Sequence, residues 1–261
     1  MVSLLDRVRG RSVVSAPSEP EPEPEDLFKE MTLQEHLEEL RQRLIYSILA
    51  IVVGFVVGLI LAFPTLDLIR TMAGLANLPA ISPTEPFITY TKVALYIGIG
   101  LAMPVIIYQL VRFLAPGLTR RERRYLYRAL PVVTMMFVSG VAFAFFVVIP
   151  RGLQFLANFG NDVFEAQFRA EEVVSFYLTL MLWVGIVFEL PVVIFILAKL
   201  GIVDAQRLSS LRKYALMVIM VAAAVITPTP DPFNMFFVAA PMYALYEAGV
   251  LLARLAKPIA R

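Results

Sequence analysis

Apolar residues occur in this chain as long runs separated by short polar stretches. A hydrocarbon core about 30 Å thick needs roughly 20 apolar residues in helix. Hydropathy supplies six candidate spans: Leu44 to Phe63, Phe87 to Val111, Leu130 to Ile149, Val173 to Ala198, Tyr214 to Ile226 and Phe233 to Ala253. The fifth is short, and crosses only if the bilayer thins locally or the loop "TPTPDP" lies within the interface, a mismatch costing fractions of a kcal/mol per Å. Ahead of the first span, "MTLQEHLEELRQRL" places Leu33, Leu37, Leu40 and Leu44 on one helical face, and Thr32 with Glu35 fits a capping box. This predicts an amphipathic helix leading into the membrane. His36, Glu39 and Arg43 share one flank of it and Arg41 lies on the other, with Glu39 and Arg43 at i,i+4 spacing. The expected fold class is an all-α integral membrane protein with six transmembrane helices.

The start of the chain obeys a different pattern. "SAPSEPEPEPEDLFKEM" alternates Pro and Glu without apolar periodicity, which predicts a disordered, solvated tail over 1–31. It reads as a spacer, or as sequence upstream of a true start at Met31, and it lacks the apolar core of a signal peptide. A membrane domain over 32–254 and a short cytoplasmic tail over 255–261 are expected to follow. Pro104, Pro191 and Pro241 each remove a backbone hydrogen bond within a span, so bent helices and a cupped arrangement are expected. Gly54 and Gly58 form a small-xxx-small pair suited to close helix packing, within the protein or with a partner helix. "GIGLAM" at Gly98 shares two glycines with a dinucleotide fingerprint, but it lies within a span rather than after a strand, which argues against a nucleotide site.

Composition agrees with the pattern and narrows the chemistry. With 59% hydrophobic and 17% charged residues in 261, and a mean hydropathy of +0.75, the chain is too apolar for an ordinary soluble domain. It has no Cys and a single His, which excludes disulfides, thiolate nucleophiles and multi-histidine metal sites; no cofactor is expected. The net charge of +2 conceals a sorting of cations. The segment "RFLAPGLTRRERRYLYR" (112–128) holds six Arg and the stretch Lys199 to Lys213 holds four Lys or Arg, whereas the first loop has only Arg70, the third Arg151 and Arg169, and the fifth none. By the positive-inside rule both termini are expected to be cytoplasmic.

Polar residues inside the spans then become conspicuous. A Glu near midspan costs about 2.5 to 3.5 kcal/mol on insertion scales. Glu189 lies roughly 15 Å of helix from Lys199, close to the midplane, and Pro191 frees the carbonyl of Val187 within the same turn. It is expected either to bond a neighbouring helix in its neutral form or to face a wet cavity. Glu247 in "YALYEAGV" lies nearer the cytoplasmic edge and is expected to be structural. Lys92, near the outer end of the second span, is expected to snorkel as an anchor. Asp231 is expected at the outer interface, as a helix cap before Phe233 or as a partner contact. Glu39 and Glu122 are acids among arginines: either they relieve local charge, Glu39 with Arg43 and Glu122 with a neighbouring Arg, or they receive the cations of a partner.

"HLEELRQRL", "FLAPGLTRRERR", "AFAFFVVIP", "FELPV" and "PMYALYEAGV", in this order between six spans, resemble the TatC family, the multispanning subunit of the twin-arginine protein translocase. The resemblance covers roughly Leu33 to Arg254 and leaves out the acidic tail. It implies a receptor, not an enzyme: a protein that recognises the paired arginines in signal peptides of folded substrates and assembles with the single-span subunits TatA and TatB to export them on the proton-motive force. It implies a multi-pass cell (cytoplasmic/inner) membrane protein, in contact with membrane lipid, compatible with a homo-oligomer in the complex and without a nucleic-acid partner. By motif, Glu39 and Glu122 match the acids of the twin-arginine site, with Arg41 and Phe113 as neighbours, and Glu189 matches the polar residue of the fourth span that faces the family's concave groove. Phe145 stands where many relatives carry Tyr, so no hydroxyl role transfers there, and "TPTPDPF" has one residue more than the usual "TPPD" type. A proton-coupled secondary transporter using Glu189 is the alternative reading, but there is no inverted repeat and no second central charge. The sequence has no GxSxG, HExxH or P-loop either.

Overall fold

The structure is a computed structural model describing residues 33–74, 77, 79–115, 118–159, 169–227 and 231–256. The tail over 1–31, Thr32 of the expected capping box, residues 228–230 of "TPTPDP" and the end of the chain from 257 lie outside the described residues. All regular structure among the described residues is helical.

α1 (Leu33–Met72) fuses the amphipathic lead and the first span into one helix of 40 residues, about 60 Å long at 1.5 Å per residue. It passes through Pro64 without ending. α2 (Glu85–Leu114) returns alongside it, with Pro104 inside, and this pair forms the most extensive helix contact in the molecule. Glycine explains the intimacy: a Cβ on Gly58 would lie 2.1 Å from the carbonyl oxygen of Ala94, and one on Gly98 would lie 2.6 Å from the backbone nitrogen of Phe55. The small-xxx-small pair therefore serves packing within the chain. Gly98, the residue of the "GIGLAM" run, is its counterpart on α2. Tyr90 adds a hydrogen bond across the same seam, donating to the Leu59 carbonyl at 2.6 Å.

α3 (Arg120–Phe143) continues through a five-residue π-helical segment, Ala144–Val148, into α4 (Ile149–Asn158). The widened turn lies in "AFAFFVVIP", just ahead of Pro150, which stands in the first turn of α4 without an N–H to give. Phe145 in this segment is buried edge-on against Tyr177, ring centroids 5.9 Å apart.

The predicted fourth span is two helices, α5 (Ala170–Val187) and α6 (Leu190–Lys199). Pro191 cannot donate back to Val187, so the chain takes one tight step: the Glu189 N–H donates to the Ile186 carbonyl at 3.1 Å, and the Glu189 carbonyl restarts α6 by accepting from Val193 at 3.0 Å. α5 supplies the centre of the core, with Val174, Tyr177 and Leu180 almost wholly buried. α7 (Ala205–Ser210) is a single short helix, and α8 (Arg212–Ile226) has 15 residues, about 22 Å of rise against a 30 Å hydrocarbon core. Among the described residues, five helical stretches have the length and composition to cross a membrane: Gln34–Met72, Glu85–Leu114, Arg120–Asn158, Ala170–Lys199 and Pro232–Leu255. The short fifth run of the sequence, now α8, falls below that length. α9 (Pro232–Leu255) packs on α6 and α8; it starts with Asp231, whose Oδ1 accepts from the Asn234 N–H at 2.7 Å, the cap expected for this residue.

At the end of the bundle where α2 and α5 begin, Glu85 is 2% exposed. One of its oxygens accepts from the N–H groups of Ile81 and Ser82 at 2.9 and 3.3 Å, and the other from Glu171 at 3.2 Å. Arg169 lies 3.4 Å away. Lys92 is not a free snorkelling anchor: its ammonium pairs with Glu171. Glu85→Ala removes the acceptor of three backbone donors and is expected to accelerate amide exchange at Ile81, Ser82 and Glu171 by about tenfold or more. Hydrogen-exchange mass spectrometry checks this; unchanged protection would mean the latch is dispensable.

Candidate functional site

The start of α1 rests on the end of α2. The His36 ring stacks on Phe113, centroids 4.4 Å apart and planes 22° from parallel. One turn further on, Glu39 pairs with Arg43 at 2.8 Å, both side chains only 13% exposed. Arg43 also reaches Gln109 Oε1 at 3.5 Å, tying the pair to α2. This pair is incompletely satisfied: Glu39 Oε2 and Arg43 Nε are buried without a hydrogen-bond partner. Among neutral surroundings such groups are costly, and they are complete only with a further donor for the carboxylate. Arg41 is on the opposite flank, 72% exposed and 3.5 Å from Glu38.

Glu122 follows on the next helix. Thr119 is the N-cap of α3, its hydroxyl accepting from the Glu122 N–H at 3.4 Å while the Glu122 carboxylate Oε2 accepts from the Thr119 N–H at 2.8 Å. This is a complete capping box, and it corrects the expectation that Glu122 pairs with a neighbouring arginine. Arg120, Arg121, Arg123 and Arg124 are exposed around it, whereas Glu122 is 4% exposed. The box engages Oε2; Oε1 has no hydrogen-bond partner among the described residues. The S/T-x-x-E spacing of "TRRE" is legible in the sequence, although the arginines between equally suggest ion pairing.

The other acids belong to different places. Glu189 lies in the step between α5 and α6 with Oε1 buried and unpartnered. Glu247 is not available in the same way: Arg212 of α8 grips both its oxygens at 2.7 and 2.8 Å, and Tyr243 donates to it at 3.0 Å. That bidentate fork joins α8 to α9, which makes Glu247 a structural staple. Asp231 is engaged as the cap of α9. The structure thus gathers His36, Glu39, Arg43, Gln109 and Phe113 at the α1–α2 end, puts Glu122 on the helix that follows, and leaves Glu189, Glu247 and Asp231 in separate positions. Gln109 and Arg212 were missed by sequence reasoning, since neither stands in a motif and each acts on a residue far along the chain. Among the described residues no cluster of three or more His, Cys, Asp or Glu has the arrangement to hold a metal ion.

Comparison with known proteins gives a consistent result. The TatC family, described as "Sec-independent protein translocase protein (TatC)", matches residues 35–241. The TatC protein of Carboxydothermus hydrogenoformans is 41% identical over 236 residues, covering 88% of this chain and 96% of that protein. The TatC protein of Synechocystis is 34% identical over 98% of this chain and 99% of its own length. The chloroplastic TATC protein of Arabidopsis thaliana is 36% identical, with 87% and 67% covered. A solved crystal structure of the twin arginine translocase receptor TatC superposes with a TM-score of 0.76 at 34% identity, covering 85% of this chain and 99% of that one.

Proposed function

Because the chain belongs to the TatC family of Sec-independent protein translocase proteins, we propose that it is the receptor and core subunit of a twin-arginine translocase. It is a multi-pass membrane protein of a family of translocase subunits, not of enzymes. In the proposed mechanism, the paired arginines of a signal peptide on a folded protein dock on Glu39 and Glu122 at the cytoplasmic face, with Phe113 bordering the site and Arg41 outside it, on the opposite flank of α1. The observation that carries this reading is the state of the two carboxylates. Each is well buried, each is fixed by one oxygen, and each keeps a second oxygen for an incoming guanidinium. In a setting otherwise crowded with arginine, two such acceptors are what allow a dibasic ligand to approach at all.

On the same reading α8 makes a sixth, short crossing through locally thinned bilayer, which puts both termini in the cytoplasm of a cell (cytoplasmic/inner) membrane. The apolar part of the signal peptide follows along the bent helices, and TatA- and TatB-type single-span helices join for export driven by the proton-motive force. Glu189 acts in this later stage, as a polar point for water or for a partner helix.

The test is binding of a signal peptide bearing Arg-Arg against its Lys-Lys counterpart. A preference for Arg-Arg in the wild-type protein is expected, since only guanidinium forms the two-pronged contact; equal affinities would count against the reading and turn attention to proton-coupled transport through Glu189. Glu189→Leu is expected to change peptide affinity by less than about twofold. Its unfolding midpoint should equal or exceed that of the wild type, because a buried carboxyl without a partner is removed. Export of a folded reporter should nevertheless drop; undiminished export would remove Glu189 from the mechanism.

A further inference from the structure

The arginines at the start of α3 do not all face the same way. At 100° per residue, Arg121, Tyr125, Arg128, Val132 and Met135 repeat at intervals of four and three and form one stripe, which Arg124 flanks at about 60° and from which Arg120 and Arg123 are turned by about 100° or more. Every member of the stripe is exposed, Tyr125 by 50%, Val132 by 50% and Met135 by 69%. The last residue of α6 completes its polar end, with Lys199 Nζ 5.8 Å from the Tyr125 ring centroid and 5.9 Å from that of Phe195. Arg121, Arg128 and Lys199 enter no ion pair among the described residues. Arg121, Arg128 and Lys199 therefore sit unneutralised at one end of a face that turns apolar at Val132 and Met135, about three turns from Arg121.

We propose that this stripe seats an anionic phospholipid, its phosphate held by Arg121, Arg128 and Lys199 against Tyr125 and an acyl chain lying along Val132 and Met135. The charge pattern selects the occupant. A twin-arginine peptide is repelled here, and a soluble anion would gain nothing from the apolar continuation. A phospholipid at the membrane border matches both ends: juxtamembrane cations favour anionic headgroups, and the aromatic ring with its snorkelled lysine suits the interface. The seat is separate from the Glu39 and Glu122 carboxylates and does not depend on their role.

The full chain, placed in bilayer discs of mixed phosphatidylglycerol and phosphatidylcholine, tests this by native mass spectrometry of the lipids it retains. The wild type is expected to retain phosphatidylglycerol enriched about tenfold over the bulk ratio. R121Q/R128Q/K199Q should fall to the bulk ratio, while R120Q/R123Q, which removes charge from the same turns but off the stripe, should keep the enrichment. No enrichment in the wild type, or equal loss in both variants, would overturn the proposal in favour of a diffuse surface potential. Full displacement of phosphatidylglycerol by inorganic phosphate at constant ionic strength would overturn it in favour of a free-anion site. If the triple variant fails to fold, R121K/R128K decides: it preserves the charges and must retain the enrichment, and its loss would contradict the seat.

Discussion

Glu122→Gln is expected to weaken binding of a twin-arginine peptide by about tenfold or more while leaving the unfolding midpoint where it is in the wild type. The separation arises because the side chain does two jobs with two oxygens. Its Oε2 closes the capping box with Thr119, and a glutamine oxygen closes such a box as well. The other oxygen has only its charge to offer a guanidinium, and the amide lacks it. Glu122→Ala should lose both functions, with a cap penalty of about 1 kcal/mol in addition to the loss of binding. Calorimetric titration and thermal unfolding of the two variants check this. Wild-type affinity in Glu122→Gln would reduce Glu122 to a helix cap.

Gly58→Ala is expected to destabilise the protein by about 3 kcal/mol or more, against about 0.5 kcal/mol or less for Gly100→Ala on the neighbouring helix. At Gly58 the added methyl meets backbone, 2.1 Å from the Ala94 oxygen and 2.9 Å from its carbon, whereas at Gly100 there is nothing within 4 Å. No rotamer change relieves a backbone clash, so α1 and α2 must separate. In a bilayer that separation forfeits dispersion contacts which lipid tails replace only in part. It also reaches the candidate site. Gly58 lies roughly 28 Å of helix from Glu39, and a small change of crossing angle there swings His36 away from Phe113. Denaturant titration in detergent and peptide binding should therefore fail together in Gly58→Ala and survive together in Gly100→Ala; equal stability of the two variants would refute the packing argument.

What the sequence could and could not convey follows from the range of each interaction. Helix-forming runs, the i,i+4 pair of Glu39 with Arg43 and the cap at Asp231 depend on residues within one turn, so periodicity and spacing reveal them. The break before α6 was half legible, because Pro191 announces a missing hydrogen bond but not whether the helix bends or stops. Partners distant in sequence carry no such mark. Lys92 and Glu171 are 79 residues apart and Arg212 and Glu247 are 35 apart, so Lys92 reads as an anchor, and Glu247 reads as structural with its partner unnamed. Gly98 illustrates the same limit from the opposite side: its reason lies on α1, in the backbone of Phe55. The candidate site was found through its motifs, yet its most informative feature, one engaged and one unengaged oxygen on each carboxylate, exists only in three dimensions.

Twin-arginine recognition of this kind requires contact between the two carboxylates and the two arginines, and a double-mutant cycle measures that contact directly. Each arginine of the signal peptide is replaced by glutamine in turn and combined with Glu39→Gln and Glu122→Gln, and binding is measured for every combination. The expected result is a coupling of about 1.5 kcal/mol or more within each matched pair and little across the mismatched ones. Additivity within about 0.5 kcal/mol for every combination would contradict it, because the arginines and the acids would then contribute to binding without meeting.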